Sequence, residues 1–301
     1  MKIAWINTEI APCGGIIVPL EYIREMRKRG IDSFMVADPP SGDSEYRRHL
    51  MASYMDVPIR GYDALDSFED DDVIITIRWE LCERLNGYKG KKYQFVQADD
   101  ISLIGENREM EKWRNDAGWT LIGVSPYALK PWQRGFIVPN GISDRFFSWN
   151  VPERDIDVLV EGSYEPNKNI DRAIEEAKKL GGRIVWLGRE TKPVEGVENI
   201  TNPSQELIPG IYKRSKNFIK LSKSEGFCLP ILEAMASGCL VYTWDMGGND
   251  FCDYGINCIH VDNIGVPVDG KMRERIIRAG EETASEYRYD TSTSMLLSIL
   301  R

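Results

Sequence analysis

Short apolar runs punctuate the chain, each closing on small or polar residues, with stretches of mixed, helix-spaced polarity between them. In the first half the runs are KIAWIN (2–7), SFMVAD (33–38), VIITIR (73–78), YQFVQA (93–98), TLIGVS (120–125) and FIVPNG (136–141). In the second they are DVLVEG (157–162), RIVWLG (183–188), NFIKLS (217–222), CLVYTW (239–244) and NCIHVD (257–262). Such alternation predicts an α/β fold of parallel strands covered by helices. Two series of strands imply two doubly wound halves. The polar SWNVPERD (148–155) is the natural seam, so the expected domains are 1–150 and 151–301. In EYIREMRKRG the apolar residues Tyr22, Ile23 and Met26 fall at helical spacing and are core candidates, with Gly30 as the stop. The last thirty residues read as two helical pieces, the second of which can pack back on the first domain.

Composition narrows the picture. A length of 301 residues is long for one core. With 42% hydrophobic and 28% charged residues, the chain fits an ordinary globular protein. A net charge of −9 without a dense Lys/Arg block argues against nucleic acid as a partner. The six cysteines show neither a CxxC pair nor zinc spacing, which predicts free thiols in a reducing compartment. No run approaches a membrane span, and MKIAWINTEIAP lacks a long apolar leader, so the expected location is cytoplasmic.

In open parallel sheets ligands sit beyond the carboxyl ends of strands, so chemistry belongs in the loops that follow them. The stretch SEGFCLPILEAMASG (224–238) carries the sharpest signal. Pro230 suits a first helical position and Gly238 a left-handed stop. Open backbone N–H groups at Phe227–Leu229, at the positive end of the helix dipole, would seat a phosphate. Glu225 in the loop and Glu233 in the helix would accept hydroxyl hydrogen bonds at opposite ends of one ligand. The plainer alternative makes Glu233 a dipole partner and Glu225 a solvated loop residue. Gly14, Gly15, Gly247 and Gly248 follow apolar runs, where bare backbone can approach phosphate or sugar. EDDD (69–72) reads as a solvated loop. Trp79 and Trp244 stand at strand ends, and the two histidines, His49 and His260, read as structural.

The block KSEGFCLPILEAMASGCLVYTWDMGG (223–248) resembles the donor site of retaining glycosyltransferases of family 4. PNGISDRFF (139–147), EGSYEPNKNID (161–171) and APCGGI (11–16) extend the resemblance over most of the chain. It implies GT-B architecture, two Rossmann-like domains facing across a cleft, with the acceptor mainly on the first and the donor mainly on the second. It places Glu225 on the donor sugar and Glu233 on the ribose. Lys168 would neutralise charge growing on the departing diphosphate. Gly226, Phe227, Cys228 and Leu229 complete the donor loop. Two departures stand out. Ser163 occupies the place of the family's arginine, with Arg189 as the substitute, and QADD (97–100) stands where the family often carries a His-Asp pair, leaving Asp100 beside Asp99 for that role.

The resulting expectation is a metal-independent hexosyltransferase that uses no cofactor, takes a UDP- or GDP-linked sugar and retains anomeric configuration. Its acceptor is a glycan, lipid or small molecule. The alternatives are a non-catalytic nucleotide-sugar or glycan-binding protein of the same fold, and a sugar-nucleotide epimerase.

Overall fold

The computed structural model describes residues 1–8, 14–38, 52–98, 118–147 and 153–300. Contacts divide the chain into two compact units, Met1–Gly141 with Tyr289–Arg301, and Ile142–Arg288.

The first unit is built on β1 (Lys2–Ile6), α1 (Gly14–Lys28), β2 (Asp32–Val36), β3 (Ile59–Arg60), β4 (Val73–Thr76), α2 (Cys82–Leu85), β5 (Lys91–Val96), β6 (Thr120–Gly123), α3 (Pro126–Leu129) and β7 (Phe136–Ile137). Its sheet runs β3-β2-β1-β4-β5-β6-β7, and each pairing is parallel. Helix α1 lays Tyr22, Ile23 and Met26 against the sheet, all at 0% exposure. Arg27 and Lys28 lie in its last turn, where cations favour the dipole, and the Gly30 N–H closes on the Arg27 carbonyl at 3.0 Å. Asp72 corrects one expectation: it is buried, accepting from the backbone N–H groups of Lys2 (2.6 Å) and Glu69 (3.0 Å). Burial opposes its charge, but those two donors hold its carboxyl below the usual range.

The second unit follows with β8 (Ile156–Glu161), α4 (Ile170–Leu180), β9 (Ile184–Gly188), β10 (Val197–Thr201), α5 (Ile208–Lys213), β11 (Ser215–Lys220), α6 (Leu229–Ala236), β12 (Leu240–Thr243), β13 (Ile259–His260) and α7 (Gly270–Glu286). Its sheet runs β10-β9-β8-β11-β12-β13, again all parallel. One face packs Leu159, Val185, Phe218 and Val241 against α6; the other packs Val158, Trp186, Ile219 and Tyr242 against α4 and Ile276 of α7. Burial on both faces explains why these strands read as unbroken apolar runs.

A final helix, α8 (Tyr289–Ile299), belongs to the first unit. Tyr289 meets Tyr22 edge to face at 5.5 Å, and the Ile299 carbonyl accepts from the Tyr93 hydroxyl at 3.2 Å. Among the described residues, no helix is long and apolar enough to cross a membrane.

Candidate functional site

The second sheet reverses its winding between β8 and β11, so the helices that follow these adjacent strands pack on opposite faces while their loops lie side by side at the carboxyl ends, where ligands sit in open parallel sheets. The two loops are stitched together there. Asn167 Nδ2 donates to the Ser224 carbonyl and Lys223 N–H to the Asn167 carbonyl, both at 2.8 Å. This stitching brings together two of the residues singled out in the sequence. Lys168 Nζ lies 2.8 and 3.1 Å from the two oxygens of Glu225, with side-chain exposures of 25% and 15%. Burial disfavours the Glu225 carboxylate, but the ammonium groups of Lys220 and Lys168 overcome it and hold the group below the ordinary glutamate value. Glu225 is therefore a carboxylate at neutral pH.

Lys220 was not singled out in the sequence. It ends β11 with a side chain only 2% exposed, 2.5 Å from Glu161 Oε2 and 3.6 Å from Glu225 Oε1. Burial works against its charge, yet the Glu161 and Glu225 carboxylates win and raise its pKa. A signal was present: NFIKLS and DVLVEG each set one charged residue near the end of an apolar strand. Only the adjacency of β8 and β11 shows that the two charges meet.

Glu233 lies part-buried on α6. Burial, then the nearby Glu161 carboxylate, pushes its pKa from 4.5 up to about 8, against the opposing pull of Lys220, Tyr212 and Arg145. At neutral pH it holds a proton and can donate as well as accept. Because its folded value is raised, the stabilisation it brings is complete below about 4.5 and lost as pH rises through about 8. Glu233→Gln, which mimics the protonated carboxyl, is expected to match wild-type stability at pH 4 and to exceed it at pH 9. Urea unfolding at the two pH values checks this, and an equal response of the two proteins would refute it.

The donor-loop backbone departs from expectation. The Cys228 N–H donates to the Gly248 carbonyl at 2.9 Å and the Leu229 N–H to the Phe227 carbonyl at 3.0 Å, so neither is open for a phosphate. The loop after β12 has folded over the start of α6 and taken that position. Gly248 makes the approach possible: its φ is +57°, and a Cβ there would lie 2.4 Å from the Glu225 carbonyl oxygen. Gly247 also has positive φ, at 69°. Gly248→Ala is therefore expected to push the loop off Glu225 and Gly226. It should lower stability by about 1–2 kcal/mol or more, from left-handed strain alone, as measured by denaturant unfolding. Phe227 turns its ring to Phe251 at 5.5 Å and Tyr287 at 5.8 Å, and burial pushes the Cys228 thiol up. Trp244 spends its indole N–H on the Ser222 carbonyl at 2.8 Å.

Gly238 has φ +71° and closes α6 through its N–H to the Met235 carbonyl at 2.9 Å. Ser163 opens the loop after β8, and Arg189, after β9, is exposed and paired with Glu165 at 3.2 Å. Gly14 and Gly15 begin α1 in the first unit, where the Gly15 carbonyl accepts from Gln97 Nε2 at 2.9 Å. Asp99, Asp100 and His49 lie outside the described residues. His260 ends β13 and accepts from the Asp262 N–H at 3.3 Å. Among the described residues, no group of three His, Cys, Asp or Glu side chains is placed to hold a metal.

Residues 155–270 match the family model described as Glycosyl transferases group 1. A putative glycosyltransferase 41 of Sulfolobus islandicus filamentous virus (isolate Iceland/Hveragerdi) is 32% identical over 108 residues, a match covering 34% of this chain and 32% of the viral protein. Among solved structures, Anabaena HepE in complex with UDP-glucose superposes with a TM-score of 0.83 at 12% identity, covering 100% of this chain and 99% of that one. Sucrose-phosphate synthase from Thermosynechococcus elongatus gives 0.74 at 13% identity, covering 99% and 98%. At such identities the structural likeness shows the fold, which is GT-B.

Proposed function

We propose that this protein transfers a hexose from a nucleoside diphosphate sugar to an acceptor hydroxyl with retention of configuration, a reading supported by the match of residues 155–270 to the Glycosyl transferases group 1 model and by the GT-B fold. The observation that carries the reading is the Lys168–Glu225 salt bridge at the point where the second sheet reverses. A cation and an anion, each still reached by solvent, answer the two parts of such a donor. The ammonium suits the diphosphate and the carboxylate suits the sugar hydroxyls.

In the reaction the bond from the anomeric carbon to the diphosphate oxygen breaks, and its electron pair leaves on the diphosphate. The acceptor oxygen takes its place on the carbon, and the acceptor proton passes to the departing phosphate or to water. Lys168 stabilises negative charge as it gathers on that phosphate. Glu225 fixes the sugar, and Glu233 meets the ribose with a carboxyl that is protonated at neutral pH. The second unit takes the donor and the first the acceptor. The choice of a uridine nucleotide follows HepE, whose structure holds UDP-glucose.

The test is a thermal-shift panel of UDP, GDP, ADP and TDP sugars followed by product analysis with the stabilising one. Selective stabilisation by one nucleotide, with slow release of free sugar in the absence of acceptor, is expected. Stabilisation without turnover would instead mark a binding protein, and a converted sugar nucleotide an epimerase.

A further inference from the structure

Glu225 stands between two ammonium groups of different character. Lys168 reaches it from the loop after β8 and remains 25% exposed. Lys220 reaches it from beneath, at the end of a central strand, 3.6 Å away and 2% exposed. Lys220 cannot swing out. Its Nζ also donates to the Glu161 carbonyl at 3.2 Å and to Glu161 Oε2 at 2.5 Å, and the register that pairs Ile219 with Val160 fixes this geometry. Among these four side chains, two carboxylates face two ammonium groups and the set is neutral. Glu233 on α6, Tyr212 on α5 and Cys228 at the loop all feel the same charges. Burial first, and then the Glu161 carboxylate beside it, account for the proton Glu233 retains.

A carboxylate with a single partner would keep that partner from any ligand. With two, it can release the mobile one and stay ionised. We propose that Lys220 is a positioning residue that holds Glu225 ionised and in place while Lys168 exchanges this carboxylate for the diphosphate of the donor. The proposal rests on the donor-binding reading above and adds to it a division of labour between a fixed and an exchanging cation.

The double variant Lys220→Met/Glu161→Gln removes both charges of the buried pair together, so that no carboxylate is orphaned by the change. Three readouts are compared with wild type: cooperative unfolding, a 13C titration of the Glu225 carboxyl assigned with Glu225→Gln, and steady-state kinetics on UDP-glucose. The variant is expected to unfold cooperatively and to ionise Glu225 at higher pH. Its kcat/KM should fall about a hundredfold, the scale of a small displacement of a substrate-positioning group, and the acid limb of its pH profile should move up with the Glu225 midpoint. A second measurement needs no substitution. When UDP is titrated into the wild-type protein, the 15Nζ signal of Lys168 is expected to move and that of Lys220 to stay. An unchanged Glu225 midpoint in the folded variant, or Lys220 moving with Lys168, would overturn the proposal while leaving donor binding standing. Wild-type protein that binds neither UDP nor UDP-glucose would overturn the parent reading, and the role of Lys220 in donor exchange with it.

Discussion

Lys168→Ala is expected to lower kcat for cleavage of the donor by about 10²–10³-fold while leaving the fold in place. The size follows from when the ammonium acts. In the proposed reaction it meets little extra charge in the ground state and most of it as the diphosphate departs, so its loss falls on kcat more than on KM. The fold survives because Glu225 retains Lys220 as a partner at 3.6 Å, and because the Lys168 side chain is not part of a packed core. Single-turnover cleavage of the sugar nucleotide, with thermal unfolding run in parallel, separates the two effects. A variant that keeps its turnover would remove Lys168 from the chemistry. One that loses turnover only together with its unfolding transition would make it a structural residue.

Lys220→Met alone is expected to act in the opposite way, through stability. It leaves Glu161 and Glu225 facing one another with their fixed cation gone, and breaking a buried ion pair from one side costs about 3–5 kcal/mol. Adding Glu161→Gln should recover most of that loss, because the remaining carboxylate still has Lys168 at 2.8 Å. Urea unfolding of wild type and of both variants measures the coupling. If the single change costs no more than an ordinary surface substitution, Lys220 is not bearing buried charge.

The strands were legible because parallel sheets buried on both faces demand continuous apolar runs, and all eleven runs became strands. Among the described residues, the two strands that went unread both lie at a sheet edge, where this demand is weak. β3 is two exposed residues, Ile59–Arg60, and β10, VENIT, lies at the sheet edge without a fully buried residue. Lys168 and Glu225 could be found by pattern since each sits in a loop after a strand. Their stitching by Asn167 could not, because it depends on two loops 57 positions apart converging. The open N–H group expected at Cys228 failed for the same reason: local helix geometry predicts it, but the Gly248 carbonyl from the next strand's loop takes it, while the Leu229 N–H turns back to the Phe227 carbonyl within its own loop. Asp72 looked like one more surface acid within EDDD, and only the start of β1 beside it shows what its carboxylate is for.

Helix α8 places the structural completion of the first unit 148 positions downstream of the point where that unit is interrupted, since residues 142–288 intervene before Tyr289. Arg29 waits for Asp290 and Ser294, and Tyr22 for the ring of Tyr289. A ribosome making this chain therefore delivers everything the second unit requires before it delivers the helix that seals the first. The inserted unit can mature while the earlier-made one stays unsealed, a window in which a chaperone would find the Tyr22 ring without its Tyr289 cover.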